Sequence, residues 1–147
     1  MAGQAVVTIR NNQWQVSLAT DYLELTQGLS DIPQIPSGTG MLFDLGYDTI
    51  FTVTTKEMLF PIDIIRISRS MVVTDIAHNV LPGQLITSAS PARYFLELNA
   101  GEANGISPSD HAAVQLMASE VPMQIDVSGI VITLLAMVLM AAMVRVP

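Results

Sequence analysis

The chain has 147 residues, half of them hydrophobic, with 13 acidic residues, six basic residues and no cysteine. A formal net charge of −7 argues against nucleic-acid binding, because a surface that neutralises phosphates has to be basic. The lack of cysteine excludes disulfides, thiolate metal sites and a cysteine nucleophile. The length allows one domain and a tail, and no sequence feature predicts a cofactor.

The amino-terminal residues predict a β-hairpin. Val6–Arg10 and Gln13–Leu18 alternate apolar and polar residues, which is the pattern of half-buried strands. Asn11-Asn12 lies between them, and asparagine tolerates the left-handed conformation that a two-residue turn requires. The same segment lacks the charged start and apolar stretch of a signal peptide, so we expect no export signal here.

A short helix is predicted after the hairpin. Asp21 and Glu24 have the spacing of a capping box, in which each side chain accepts a hydrogen bond from the other residue's backbone N–H. Gly28 is a suitable stop signal, so the predicted helix runs from Asp21 to about Gln27.

The middle of the chain alternates short apolar runs with turns and loops, which predicts an α+β protein that is mainly β. We expect a compact antiparallel sheet or barrel-like domain with short helices over residues 1–117. The predicted strands are Met41–Leu45, Ile50–Val53, Pro61–Ile67, Met71–Ile76, Tyr94–Asn99 and Ala112–Leu116. Proline and glycine place loops at Asp31–Gly40 and His78–Ala92, and a helical turn is predicted at Ala100–Gly105.

The carboxyl-terminal segment predicts a single transmembrane helix. Val127–Val144 contains eighteen residues without a charge, bracketed by Asp126 and Arg145. A helix of that length extends about 27 Å, close to the roughly 30 Å hydrocarbon core of a bilayer. We therefore predict a juxtamembrane linker over 118–125 and a transmembrane helix over 126–147. Burial of that helix between protein subunits is the alternative.

Two sets of residues define the expected roles of this helix. Large apolar residues would lie within the membrane span, and smaller or flexible ones would pack against a partner helix. The span is represented by Val127, Leu134, Leu135, Leu139 and Val144, and the packing positions are Gly129, Ala136 and Met140. Because no export signal is evident, we expect a single-pass protein whose domain faces the cytoplasm, although Arg145 favours the opposite orientation.

Several segments in order resemble the family called domain of unknown function 192. They are Gly28-Leu29, Gly40–Phe43, Lys56–Ile65, His78–Val80 with Pro82-Gly83, and Pro91–Gly101 followed by Gly105-Ile106 and Asp110. The resemblance covers about Gln13 to Leu116. It implies a compact, barrel-like β-rich fold with small helices, and it implies no particular reaction.

One segment departs from the family pattern. Where the family has tryptophan-methionine-lysine-asparagine-threonine before its proline, this chain has Thr54-Thr55-Lys56-Glu57-Met58. Only the lysine matches. The carboxyl-terminal apolar segment also has no counterpart in the family pattern.

Lys56 is the first candidate for chemistry, because it is the only lysine and a lysine can act as a nucleophile or bind an anion. The structural alternative is a surface lysine paired with Glu57 or another carboxylate.

Carboxylates in or beside the strands are the other candidates. Asp63 and Glu97, together with Lys56, form the candidate ligand or anion site, and Asp44 could join them in a cleft. The structural alternative is that these carboxylates accept backbone hydrogen bonds or pair with Arg66 and Arg93.

No catalytic or metal-binding pattern is evident. His78 and His111 lack ligand-spaced partners, so no metal site is predicted. The serines show no Gly-x-Ser-x-Gly motif, and no glycine pattern fits a nucleotide loop. The catalytic residues of an enzyme cannot be named from this sequence, and we expect a protein without catalytic activity.

Three functional hypotheses follow. In the first, a non-catalytic single-pass membrane protein serves as an accessory or structural subunit, with other protein subunits and membrane lipid as partners. The second is a membrane-tethered domain that binds a small ligand or acts as an enzyme, using Lys56 and the strand carboxylates. In the third, the chain is a structural component of a virion-like particle, with its apolar helix buried between subunits.

Overall fold

The computed structural model describes residues 3–118, 122–127 and 130–135. The chain divides between Gln115 and Leu116 into two units. The first unit holds a seven-stranded sheet, one helix and a two-stranded ribbon, and the described part of the second holds a pair of strands. The prediction of a mainly β domain with few helices is confirmed.

The main sheet has the order β6-β5-β8-β3-β2-β1-β9. Its strands are β1 (Gln4–Ile9), β2 (Asn12–Ala19), β3 (Thr39–Thr49), β5 (Ile62–Ile67), β6 (Val73–Val80), β8 (Ala92–Asn99) and β9 (Ala112–Leu116). The ribbon pairs β4 (Thr52–Thr54) with β7 (Leu85–Thr87).

The sheet is open and mixed, rather than the predicted antiparallel sheet or barrel-like domain, and the difference lies at one strand pair. Strands β2 and β3 run parallel, with Val16 opposite Gly40 and Ala19 opposite Phe43. A parallel pair requires a long crossover, and residues 20–38, which include the helix, provide it. An isolated bridge between Val72 and His111 connects segments next to the two outermost strands, β6 and β9.

Apolar side chains cover both faces of the sheet. Because successive residues of a strand point to opposite faces, neighbouring residues of β8 belong to different cores. The first core comprises Ala5, Val7, Ile9, Trp14, Val16, Leu42, Ile65, Ile67, Val73, Leu96, Leu98, Ala103, Ile106 and Ala112. The second core comprises Ala19, Leu29, Met41, Phe43, Val53, Met58, Ile62, Ile64, Val80 and Phe95. Burial on both faces explains why β5 is buried at every position.

The opening hairpin is confirmed, with its turn one residue earlier than predicted. Ile9 pairs with Asn12, so the two turn residues are Arg10 and Asn11. Arg10 has a φ of 54°, the left-handed conformation that the turn requires at this position.

The prediction of one long loop over His78–Ala92 is wrong in part. Strand β6 continues to Val80, β7 lies inside the predicted loop, and β8 begins at Ala92. Asn79 takes a φ of 49°, and Gly83 a φ of 86°, so these residues allow sharp backbone bends without a long loop.

Helix α1 (Tyr22–Gln27) matches the predicted helix closely. The Asp21 side chain accepts a hydrogen bond from the Glu24 N–H at 2.9 Å, and Glu24 Oε2 accepts one from the Asp21 N–H at 3.4 Å. Gly28 ends the helix with its N–H donating to the Glu24 carbonyl at 2.9 Å. The capping box is therefore confirmed at both of its hydrogen bonds.

We expect Asp21→Ala to lower the free energy of unfolding by about 1 kcal/mol, because the N-cap of a short, exposed helix loses its acceptor. Asp21→Asn is the matched control, since an asparagine side chain also caps helices and removes only the charge. Urea unfolding of the two variants measures the difference. Equal losses in both variants would show that the charge matters and the cap does not.

The described part of the second unit differs from the predicted helix. β10 (Pro122–Val127) and β11 (Ile130–Leu135) form an antiparallel pair, with Val127 opposite Ile130. Strands therefore lie where the end of the linker and nearly the first half of the helix were predicted. Valine, isoleucine and threonine are frequent in this stretch, and their β-branched side chains favour strands.

Several residues of the predicted tail are not described by the structure. Of the expected span and packing residues, Gly129, Ala136, Leu139, Met140 and Val144 lie outside the described residues. Within 3–118, 122–127 and 130–135, no helix has the length and hydropathy needed to cross a membrane.

Candidate functional site

A cleft of about 380 Å³ opens between α1, the β4 ribbon strand and the second-core face of the sheet. This volume is within the range of small-ligand sites. The lining residues come from α1 and the following turn, from β3, from β4 and the residues after it, and from β8. They are Leu25, Thr26, Gln27, Gly28, Leu29, Ser30, Phe43, Thr52, Val53, Thr54, Glu57, Met58, Phe95 and Glu97.

Glu97 is the buried polar residue of this cleft. It lies in β8 opposite Met41 of β3 and Ile64 of β5, and it is only 5% exposed. Its Oε2 atom is buried and has no hydrogen-bond partner among the described residues. Burial raises the pKa of the Glu97 carboxyl to about 8, because an apolar environment disfavours the charged form. The group is therefore predominantly a neutral acid at pH 7.

Phenylalanine rings and a glycine surround this carboxyl. Phe43 and Phe95 stack with ring centroids 4.1 Å apart and an interplanar angle of 5°. Gly28 approaches them so closely that a Cβ on this residue would lie 3.0 Å from Phe43 Cζ and 3.8 Å from Glu97 Oε2. The absence of a side chain at Gly28 thus keeps open the space next to the carboxyl.

Lys56 does not contribute its side chain to the cleft. It is exposed and absent from the lining, although Thr54, two residues before it, and Glu57, directly after it, line the cleft. Its backbone N–H donates to Thr54 Oγ1 at 3.3 Å. The structure therefore does not bring Lys56 together with the strand carboxylates in this cleft.

Asp63 lies on the opposite face of the sheet from Glu97. It pairs in register with Leu98, whereas Glu97 pairs with Ile64, so the two carboxylates point away from each other. Asp63 is fully buried and accepts hydrogen bonds from the backbone N–H groups of Asn79, Gly101 and Ala103 at 2.8–2.9 Å. Its role is to hold the end of β6 and the turn after β8, which is the structural alternative stated above.

Asp44 is also occupied by a structural partner. Arg93 Nε donates to Asp44 Oδ1 at 2.8 Å and Arg93 Nη2 donates to Oδ2 at 3.0 Å. The hydrogen bond from Arg93 holds the pKa of Asp44 below its usual value, with a smaller contribution from the Gly46 N–H. Asp44 is thus a stable carboxylate outside the cleft.

The buried cation Arg66 is likewise paired. Arg66 is 2% exposed, and its Nη1 donates to Asp75 Oδ1 at 3.0 Å while its Nη2 donates to the Ile86 carbonyl at 2.9 Å. Its guanidinium also lies 5.4 Å from the centroid of the Phe51 ring. This arrangement keeps Arg66 away from the role of counter-ion to Glu97.

The two histidines do not form a site together. His78 Nδ1 lies 3.8 Å from Asp63 Oδ2, and His111 takes part in the bridge to Val72. In the part of the chain that the structure describes, no three histidine, aspartate or glutamate side chains come together as a metal-binding group.

Glu97 is the predicted site residue that lines the cleft, and its sequence context marks it. Phe95-Leu96-Glu97-Leu98 is an apolar run of the kind found in strands covered on both faces, and Glu97 interrupts it. A charged residue in such a strand has to be buried, so it needs either a partner or a function. Gly28, Phe43, Met58 and Phe95 lack an equivalent signal, because each reads as an ordinary stop or core residue.

The segments that resemble the family converge on this cleft. Gly28-Leu29, Gly40–Phe43, Lys56–Ile65 and Pro91–Gly101 each contribute lining residues. The departures from the family pattern lie there as well, at Thr54, Glu57 and Met58. The cleft is therefore lined both by segments that resemble the family and by residues that depart from the family pattern.

Comparisons with known proteins identify the family that the sequence segments resemble, and two solved structures of similar fold. Residues 5–114 match the family DUF192, described as an uncharacterized ACR. A crystal structure from Sinorhizobium meliloti 1021, named as a "putative transcription regulator", is 29% identical with a TM-score of 0.71, covering 78% of this chain and 94% of that one. A protein of unknown function from Novosphingobium aromaticivorans DSM 12444 is 27% identical with a TM-score of 0.67, covering 75% and 83%. No curated protein matches.

The family match takes in the whole main sheet except the first residue of β1 and the last two residues of β9, and it includes every residue that lines the cleft. Together with the motif segments, this extent shows that the chain belongs to the DUF192 family.

Proposed function

We propose that the domain binds a small, largely apolar ligand in the cleft beside Glu97. The observation that carries this proposal is the buried Glu97 Oε2, which has no hydrogen-bond partner among the described residues. A buried carboxyl group without a partner is costly, and proteins retain such groups where a ligand or a reaction uses them. The cleft next to it provides the room for that ligand.

The composition of the wall favours binding over catalysis. Aromatic and aliphatic side chains dominate, and a few polar groups at the edge, such as Thr26, Ser30 and Thr54, can orient a ligand. Glu97 has no nucleophile or base as a hydrogen-bond partner, so a catalytic pair of the usual kind is missing among the described residues. Binding without chemical conversion is the function that these residues support best.

The proposed membrane or assembly role remains a prediction from the sequence. It depends on the predicted helix over 126–147, of which 126–127 and 130–135 lie in strands and 136–147 lie outside the described part of the chain. Ligand binding in the first unit is compatible with either a membrane-bound or a particle-bound chain, because the cleft uses residues 25–97 alone.

The description of the Sinorhizobium meliloti protein is not carried over to this chain. The net charge of −7 argues against DNA as a partner. All four arginines of the described residues, Arg10, Arg66, Arg69 and Arg93, lie next to an aspartate rather than forming a basic surface.

A titration of the full-length chain with 2-phenylethanol tests the proposal. We expect the methyl NMR signal of Met58, which is 5% exposed and lines the cleft, to shift as the ligand binds. Gly28→Ala should weaken binding about tenfold or more, because the added methyl group fills the space beside Phe43 and Glu97.

Gly38→Ala is the matched control for the backbone. Gly38 has a φ of +77° and Gly28 one of +50°, so alanine is strained at both positions, but a Cβ at Gly38 has no atom within 4 Å. Gly38→Ala should leave the dissociation constant unchanged. If small apolar compounds leave the Met58 signal unmoved, or if both variants bind as tightly as the original chain, the proposed site is wrong.

A further inference from the structure

We propose that the ligand of this cleft is an organic cation, a protonated amine on an aromatic or aliphatic body, with Glu97 as its counter-ion inside the cleft and Glu57 as a second acidic group at the rim. This inference rests on the proposed function. It concerns the chemical class of the ligand, which the proposed function leaves open.

The first argument is the distribution of charge. Among the residues that line the cleft in the described part of the chain, Glu57 and Glu97 are the ionisable ones, and no lysine, arginine or histidine joins them. Arg66 forms an ion pair with Asp75, and Arg93 forms one with Asp44. A wall with acidic groups and without basic ones favours a cationic ligand.

The second argument is the environment of the Glu97 carboxyl. The groups that face it are apolar, with Met41 opposite on β3, Ile64 opposite on β5, and Gly28 above. Glu57 is the other ionisable group of the cleft, and it is exposed to solvent. Because the protein provides no counter-ion, an arriving ammonium group would meet an acceptor in a low-dielectric site, where opposite charges interact strongly.

The third argument is the aromatic lining. Phe43 and Phe95 stack on each other, and Phe51 packs against Phe95 with ring centroids 5.1 Å apart. Phe43 and Phe95 are 1% and 6% exposed, so they give the cleft an apolar aromatic wall that suits the hydrocarbon body of an amine. A dry cavity of about 150 Å³ already admits benzene, so a cleft of about 380 Å³ has room for a ring and a short aminoalkyl chain.

A metal ion fits these residues less well. Divalent metals in proteins need several oxygen or nitrogen ligands. Glu97 has apolar neighbours, and no metal-binding group of three or more side chains is found within the described residues.

Proton exchange gives the inference a specific signature. The neutral Glu97 carboxyl releases its proton to solvent when R–NH₃⁺ binds, and the complex contains the carboxylate and the ammonium ion. Affinity for the amine should therefore rise with pH between 6 and 8. A neutral ligand that accepts a hydrogen bond from the acid would show the opposite trend.

The test compares 2-phenylethylamine with 2-phenylethanol, two molecules of nearly equal shape that differ in charge. At pH 8 we expect the full-length chain to bind the amine at least about tenfold more tightly. Glu97→Gln should remove this preference, because it lowers the affinity for the amine at least about tenfold. The affinity for the alcohol should change little. Glu57→Gln should reduce amine affinity only about twofold to threefold, since exposed charges are screened.

The outcomes separate the two proposals. If neither compound binds, the proposed function fails. If the alcohol binds as tightly as the amine, or if Glu97→Gln keeps the preference, the cation inference fails while a general apolar site remains. Asp48→Asn, which removes a carboxylate outside the cleft, should leave both affinities unchanged. The comparison in the unmodified chain decides the question even if Glu97→Gln does not fold.

Discussion

Asp63→Ala should lower the free energy of unfolding by about 3–5 kcal/mol, a large fraction of the stability of a small domain. The substitution deprives the N–H groups of Asn79, Gly101 and Ala103 of their acceptor. The Ala103 hydrogen bond is buried, so its donor would lose the carboxylate without gaining water. The other two are partly buried, and water can compensate for them in part.

Urea unfolding measures this loss, and Asp44→Ala is the comparison. Asp44 pairs with Arg93 at a partly exposed position, so its removal should cost only about 1 kcal/mol. Asp63→Asn should resemble Asp63→Ala, because one amide oxygen cannot replace two carboxylate oxygens that face three N–H donors. A loss below about 1 kcal/mol for Asp63→Ala would contradict the structural role of this residue.

Short sequence patterns correctly predicted the helix and the turn that depend on residues close together in the chain. The capping box at Asp21 and Glu24, the stop at Gly28 and the opening hairpin depend on residues within a few positions of each other. Each was predicted within one or two residues. The apolar strands β5 and β8 were also found, because long runs of apolar residues require burial whatever their partners are.

Pairing between distant strands was not predictable in the same way. The parallel arrangement of β2 and β3 depends on how the crossover through α1 folds back onto the sheet, and no short pattern encodes this. The strand pair at Pro122–Val127 and Ile130–Leu135 shows a related difficulty. Continuous apolar residues fit a buried strand as well as a helix, and only β-branching favours the strand.

Of the three residues predicted to share a site, only Glu97 lines the cleft, for a geometric reason. Asp63 and Glu97 are both carboxylates in buried strands, and nothing in the sequence states that they face opposite sides of one sheet. Register decides this, and a shift of one residue would reverse it. Lys56 was selected because it is the only lysine, but in this segment Thr54, Glu57 and Met58 line the cleft and Lys56 does not.

The second large effect expected is a decrease in stability with rising pH, caused by Glu97. Burial raises the pKa of this carboxyl from 4.5 in the unfolded chain to about 8 in the folded one. Between these values the folded state binds a proton that the unfolded state releases, so the stabilisation is complete below pH 4.5 and is lost as the pH rises through about 8. The slope should approach about 1.4 kcal/mol per pH unit.

Other shifted groups act outside this interval. The pKa values of Asp44 and Asp110 are lowered, mainly by the Arg93 hydrogen bond and the Ser107 N–H respectively. Their contributions are present above the normal aspartate value of 3.8 and disappear only as the pH falls below it. A slope between pH 5 and 8 is therefore not explained by either aspartate.

Glu97→Gln provides the decisive comparison, because it keeps the size of the side chain and cannot ionise. Urea unfolding at pH 5, 6, 7 and 8 should show a total loss on the order of 4 kcal/mol in the original chain, and a nearly constant free energy in the variant. If the free energy of unfolding changes with pH in the same way in both proteins, water or a rearranged side chain stabilises the Glu97 carboxylate. In that case the cleft would already contain a means to solvate the charge, and a cationic ligand would gain little from meeting it there. The pH dependence of folding thus tests the same isolated carboxyl on which the binding proposals depend.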